Sequence, residues 1–82
     1  MVEVLERRID PECGCSVEDV VCHGIFMTIH HEDDGTGHII VDCGEAGEDD
    51  FFTGPVKSME ELEQEADKLA LKLLEQYGTE ER

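Results

Sequence analysis

Residues 24–43 read GIFMTIHHEDDGTGHIIVDC, and the way this stretch folds back on itself decides the architecture. Two arms rich in β-branched and aromatic residues flank an acidic segment that contains Asp34-Gly35 and Gly37, which is a hairpin pattern. Side chains alternate between faces along a strand, so the register of the arms settles which residues are buried. In the register that opposes His30 to His38, Ile25, Met27 and Ile29 meet Cys43, Val41 and Ile39 on one apolar face. The other face then carries Phe26, Thr28, His30, His38, Ile40 and Asp42. A two-residue Asp34-Gly35 turn is a strong signal of its own, but it would set Met27 against Asp42. Burial favours the first register. Gly35 and Gly37 are then expected to take the positive backbone angles that the reversal needs.

An apolar sheet face needs a cover, and residues 58–77, SMEELEQEADKLALKLLEQY, supply one. Ser58 and Glu61 have the spacing of a capping box. Glu60, Glu61 and Glu63 lie near the positive end of the helix dipole. Met59, Leu62, Ala66, Leu69, Leu73 and Tyr77 recur at helical steps and form one apolar stripe, and Gly78 follows as a stop. Leu71 points away from that stripe. At the other end VEVLERRI, residues 2–9, reads as a first strand. DFFTGPV, residues 50–56, reads as a further short strand ended by Gly54-Pro55, and proline suits an edge. SVEDVVCHG, residues 16–24, reads either as a helical turn capped by Ser16 or as more strand. The expected fold is α+β, a single domain over residues 1–82. A small antiparallel sheet of three to four strands, built on the central hairpin, carries the C-terminal amphipathic helix on one face. A chain of 82 residues has a thin core, burying roughly 60–65% of its unfolded surface.

Charge is the outlier. Twenty-two acidic residues face six lysines and arginines, a net charge of −16. No Lys or Arg falls between Arg8 and Lys57, whereas twelve Asp and Glu do. Direct binding to nucleic acid or an anionic membrane is not expected on this ground, because neutralising phosphates needs basic side chains. The N-terminal MVEVLERRID is charged where a secretory leader is apolar. No run approaches the roughly eighteen apolar residues of a membrane span. A cytoplasmic protein with reduced cysteines is therefore expected. Such a field attracts a basic protein surface or a cation; a second copy of the chain, forming a homodimer, is a further candidate partner.

Two sets of residues are candidate metal ligands. Cys13, Cys15, Cys22 and Cys43 match the four donors that zinc wants, although a single residue between Cys13 and Cys15 is not the spacing of the familiar knuckles. The plainer reading makes Cys22 and Cys43 small buried hydrophobes and leaves Cys13 and Cys15 in a loop. His30 and His38 face each other in the favoured register, and with Glu32, Asp33 or Asp34 they could hold a transition metal. HEDDGTGH lacks the ligand alternation and distal glutamate of a calcium loop. Catalysis has no good candidate, since Cys22-His23 adjacency does not aim a base at a nucleophile and no phosphate-binding glycine loop is present. A non-enzymatic protein without an essential cofactor is expected.

The acidic interval itself remains. Glu32, Asp33 and Asp34 sit at the hairpin tip, and Asp42, Glu45, Glu48, Asp49 and Asp50 lie at and beyond its second arm. Strands can hold such carboxylates at spacings comparable with phosphates, and opposite fields speed association. This profile resembles that of small DNA-mimic inhibitors, including some anti-CRISPR and anti-restriction proteins. The resemblance is one of composition, and it implies docking on the basic nucleic-acid-binding surface of another protein. Halophilic adaptation is a third source of the same acidity.

Overall fold

The alternation of apolar and polar side chains drives five segments of this chain into strands, and helical periodicity returns only near its end. A computed structural model describes residues 2–77. The strands are β1 (Val2–Ile9), β2 (Ser16–Cys22), β3 (Ile25–His31), β4 (Thr36–Asp42) and β5 (Glu48–Pro55), and they are followed by helix α1 (Met59–Tyr77). They form one antiparallel sheet in the order β1-β2-β3-β4-β5. Five strands therefore replace the expected three to four. The added one is β2, the segment that read two ways. Its valines favour extended backbone, and His23 (φ 51°) with Gly24 (φ 84°) reverse the chain between Cys22 and Ile25. Positive φ at both central residues suits the twist of a hairpin, and histidine enters that region more readily than most residues.

The central hairpin takes the expected register, with Met27, Ile29 and His30 opposite Val41, Ile39 and His38. Its tip is a longer loop than the Asp34-Gly35 turn. Glu32 N–H donates to the Thr36 carbonyl at 2.9 Å, Gly35 N–H donates to the Glu32 carbonyl at 3.0 Å, and Gly35 has φ 89°. That is the loop in which a turn is closed by a left-handed glycine. Gly37 has a different purpose from the one expected. It lies inside β4, and a Cβ there would run into Leu62 and Thr53 Oγ1. Its missing side chain lets the helix approach the sheet.

Val20, Cys22, Met27, Ile29, Ile39 and Val41 present the buried sheet face, and Leu62, Ala66 and Ala70 cover it. Ala70 was absent from the expected stripe, yet it is fully buried, because the helix meets the sheet along a line of small residues. Met59, Leu69 and Leu73 pack along the flanks of that line, and Leu71 is exposed. The helix start keeps the hydroxyl half of the expected capping box, while the carboxylate reaches one residue further back. Ser58 Oγ accepts from Glu61 N–H at 3.2 Å, and the Glu61 carboxylate accepts from Lys57 N–H at 2.5 Å. The proposed stop, Gly78, lies outside the described residues. Among those described, no helix is long and apolar enough to cross a membrane.

One charged residue, Glu18, is buried beneath the helix. Arg7 Nε donates to its Oε2 at 2.9 Å, while Oε1 is buried without an N–H donor. Glu63 on α1 lies close to this carboxylate, and interaction with Glu18 together with burial pushes the Glu63 carboxyl up to about 7.

Candidate functional site

The helix covers one face of the sheet and leaves the other open. Strand alternation puts Asp19, Phe26, Thr28, His30, His38, Ile40, Asp42, Glu48, Asp50 and Phe52 on the open face. Leu5 joins them as the extra residue of a bulge in β1. It lines a shallow hollow with Phe26, Thr28, Ile40, Asp19, Asp42 and Glu48. Phe26 is 56% exposed and Phe52 is 72% exposed, which is unusual for aromatic side chains on a sheet.

The charge of this face is nearly uncompensated. Arg8 is spent on Asp19, with Nη1 to Oδ2 at 2.5 Å. That guanidinium, helped by the Thr28 hydroxyl at 3.0 Å, holds the Asp19 carboxyl below the usual range. Asp42, Glu48 and Asp50 are all exposed. The acidic residues picked out from the sequence do not form one patch, however. Asp49 pairs with Val41 and so lies on the helix side of the sheet, opposite to its neighbours Glu48 and Asp50. Asp33 and Asp34 are exposed at the hairpin tip, and Glu45 sits in a short 3-10 turn after β4. Two of the acids build turns. Asp34 Oδ1 accepts from the Thr36 hydroxyl at 2.7 Å and from its N–H at 3.0 Å, which holds its carboxyl below the ordinary range. Asp42 Oδ1 accepts from Gly44 N–H at 2.9 Å.

A cluster of donor atoms lies at the hairpin-tip end of the open face. The connection between β1 and β2 curls back on itself: Gly14 (φ 75°) donates its N–H to the Asp10 carbonyl at 2.7 Å, and Asp10 N–H donates to the Cys15 carbonyl at 2.9 Å. This turn carries Cys13 to His30, with Sγ 3.4 Å from Nε2. Cys15 is buried, and its thiol donates to Asp33 Oδ1 at 3.1 Å. A hydrogen bond with Cys13, burial and the Asp33 charge push that thiol up to about 12. The donor atoms of Cys13, Cys15 and His30 lie within 4.8 Å of one another, and this group could hold a metal ion. His30, Glu32 and His38 form a second group that shares His30. Glu32 Oε2 lies 3.4 Å from His30 Nδ1 and 3.6 Å from His38 Nδ1. The His38 ring stacks on Phe52, with centroids 4.5 Å apart, and its Nε2 is 3.8 Å from Asp50.

The four cysteines do not converge. Cys22 is fully buried in the helix-covered core, where burial pushes its thiol up to about 11. Cys43 is exposed beyond β4 near Asp49, so it is not the buried hydrophobe of the plainer reading. All four are free thiols. The mixed cysteine–histidine set had a signal in the sequence. Reading residues 16–22 as a strand turned by His23-Gly24 pairs Val17 with His30, which brings the preceding cysteine loop alongside that histidine.

No family model, no curated protein and no solved structure matches this chain. Function is accordingly a question for the chemistry of the open face and its donor cluster.

Proposed function

We propose that this chain is a non-enzymatic binding protein whose open sheet face docks on a basic protein surface. One observation carries the reading. Exposed Leu5, Phe26 and Phe52 stand among Asp42, Glu48 and Asp50 on a face whose Arg8 is already paired with Asp19. Apolar anchors within a polar surround are the anatomy of a protein interface, and the carboxylates steer a cationic partner toward it. The most concrete version is a nucleic-acid mimic, in which carboxylates held by the strands occupy a groove built for phosphates. A chain of net charge −16 meets that groove itself rather than the nucleic acid.

The test is retention of partners from native host lysate by immobilised protein, at low and high salt, before and after adding duplex DNA or RNA. Wild type is expected to hold a basic nucleic-acid-binding protein that salt or nucleic acid releases. The triple variant Asp42→Lys, Glu48→Lys, Asp50→Lys is expected to hold none. A partner that survives both the triple reversal and high salt overturns the reading.

A second reading rests on the meeting of Cys13, Cys15 and His30. On it the chain is a small zinc-binding domain, with or without the docking function. Elemental analysis of protein purified without chelator decides it, stoichiometric zinc being the expected result.

A further inference from the structure

We propose that Cys13 Sγ, Cys15 Sγ and His30 Nε2 are the protein ligands of a zinc ion, and that Glu32 is the carboxylate that orients His30 toward it. The proposal rests on the zinc-binding reading and adds to it a ligand set and an outer shell. Tetrahedral zinc, with Zn–S of about 2.3 Å and Zn–N of about 2.0 Å, sets its sulfur and nitrogen ligands about 3.5 Å apart. Cys13 and His30 already stand at 3.4 Å. Cys15 lies within 4.8 Å of both, on the same turn as Cys13, so small side-chain rotations close the set. Two thiolates and an imidazole select zinc over magnesium or calcium, which prefer oxygen. Binding replaces one proton on each thiol, and both protons leave to solvent.

The second histidine group then finds its place. A metal on His30 Nε2 requires the ring proton to sit on Nδ1, and Glu32 Oε2 is the acceptor 3.4 Å away. A carboxylate behind a metal-bound histidine fixes the ring and its tautomer. The same Glu32 oxygen also lies 3.6 Å from His38 Nδ1, within ion-pair reach. His38 is thus a positioning residue, and the group of His30, Glu32 and His38 is the outer shell of the thiol site rather than a second metal site. The fourth coordination position falls to water, since Cys13 is exposed. The ion would tie the β1–β2 connection to the central hairpin.

The experiment is titration of metal-free, reduced protein with cobalt(II), followed by zinc competition against a chromophoric chelator. One equivalent with thiolate-to-cobalt absorption is expected, and Cys43→Ser should leave it unchanged. Cys13→Ser and His30→Ala should each weaken cobalt binding and change that absorption, and the double variant Cys13→Ser, Cys15→Ser should abolish it. Glu32→Gln should keep the absorption but weaken zinc by about 10–100-fold, with His38→Ala weakening it less. Absence of thiolate absorption in the wild type overturns both the zinc reading and this proposal. Absorption that survives the double variant Cys13→Ser, Cys15→Ser, or that is unchanged in Cys13→Ser or His30→Ala, overturns the ligand set. Unchanged affinity in Glu32→Gln, in protein shown folded by circular dichroism, overturns the orienting role alone and leaves the zinc reading standing. A loss in His38→Ala as large as in His30→Ala makes His38 a ligand and also overturns the proposal.

Discussion

The same strands present two unlike faces. Beneath the helix, Val20, Met27, Ile29, Ile39 and Val41 are each at most 3% exposed. On the reverse, one residue along in each strand, Phe26 and Phe52 are more than half exposed among carboxylates. The covered face is where stability resides, because hydrophobic gain follows apolar area removed from water. The open face keeps apolar area in contact with water. A small sheet with a single helix can seal only one side.

That contrast can be broken most directly by truncating one residue on each face. Ile29→Ala should cost about 3–4 kcal/mol, the range for a buried large-to-small change. Ile40→Ala, half-buried on the open side, should cost about 1 kcal/mol, since little area is lost. Urea midpoints measure both, and equal costs would mean that the open face is no less a core than the other. A smaller effect tests how closely helix and sheet meet. Gly37→Ala places a methyl group against Leu62 and Thr53 and should cost about 1–3 kcal/mol as overpacking; a neutral result would show slack beneath the helix.

A pH-dependent effect concerns the charge under the helix. Glu63 titrates near 7 in the folded protein, against an ordinary value of 4.5. The folded state therefore holds a proton that the unfolded chain releases, and stability falls as pH rises from about 4.5 to about 7. Glu63→Gln keeps a donor for Glu18 without needing that proton. It should add about 1–2 kcal/mol at pH 8, less than the full linkage value because Arg7 and solvent screen the pair. Stability curves at pH 5 and pH 8 should then lie closer together than in wild type. An unchanged gap would remove Glu63 as the source.

Much of this was legible from residue order. The His30–His38 register followed from matching apolar faces, and the Ser58 cap with its helix followed from spacing. The strand β2 was obscured because its turn is His23-Gly24, which lacks the asparagine or aspartate that usually marks such reversals. With residues 16–24 open to two readings, the meeting of Cys13 and Cys15 with His30 was not legible either, since the pairing of Val17 with His30 brings the cysteine loop to that histidine. Ala70 escaped for a related reason. Alanine carries a weak hydrophobic signal, and its burial depends on the distance between helix and sheet.

What residue order settled is short in range: strand period, helix period, capping, turn glycines and an unbalanced charge, all of which act over a few neighbours in the chain. Three-dimensional packing decided which acids share a surface, parting Asp49 from Asp50 and turning Asp34 and Asp42 to the building of loops. It also separated Cys22 and Cys43 from Cys13 and Cys15, and set His30 beside the latter two. Ligand convergence depends on register across several strands and on how a loop curls over them, and such long-range geometry is fixed only when the whole sheet has closed against its helix.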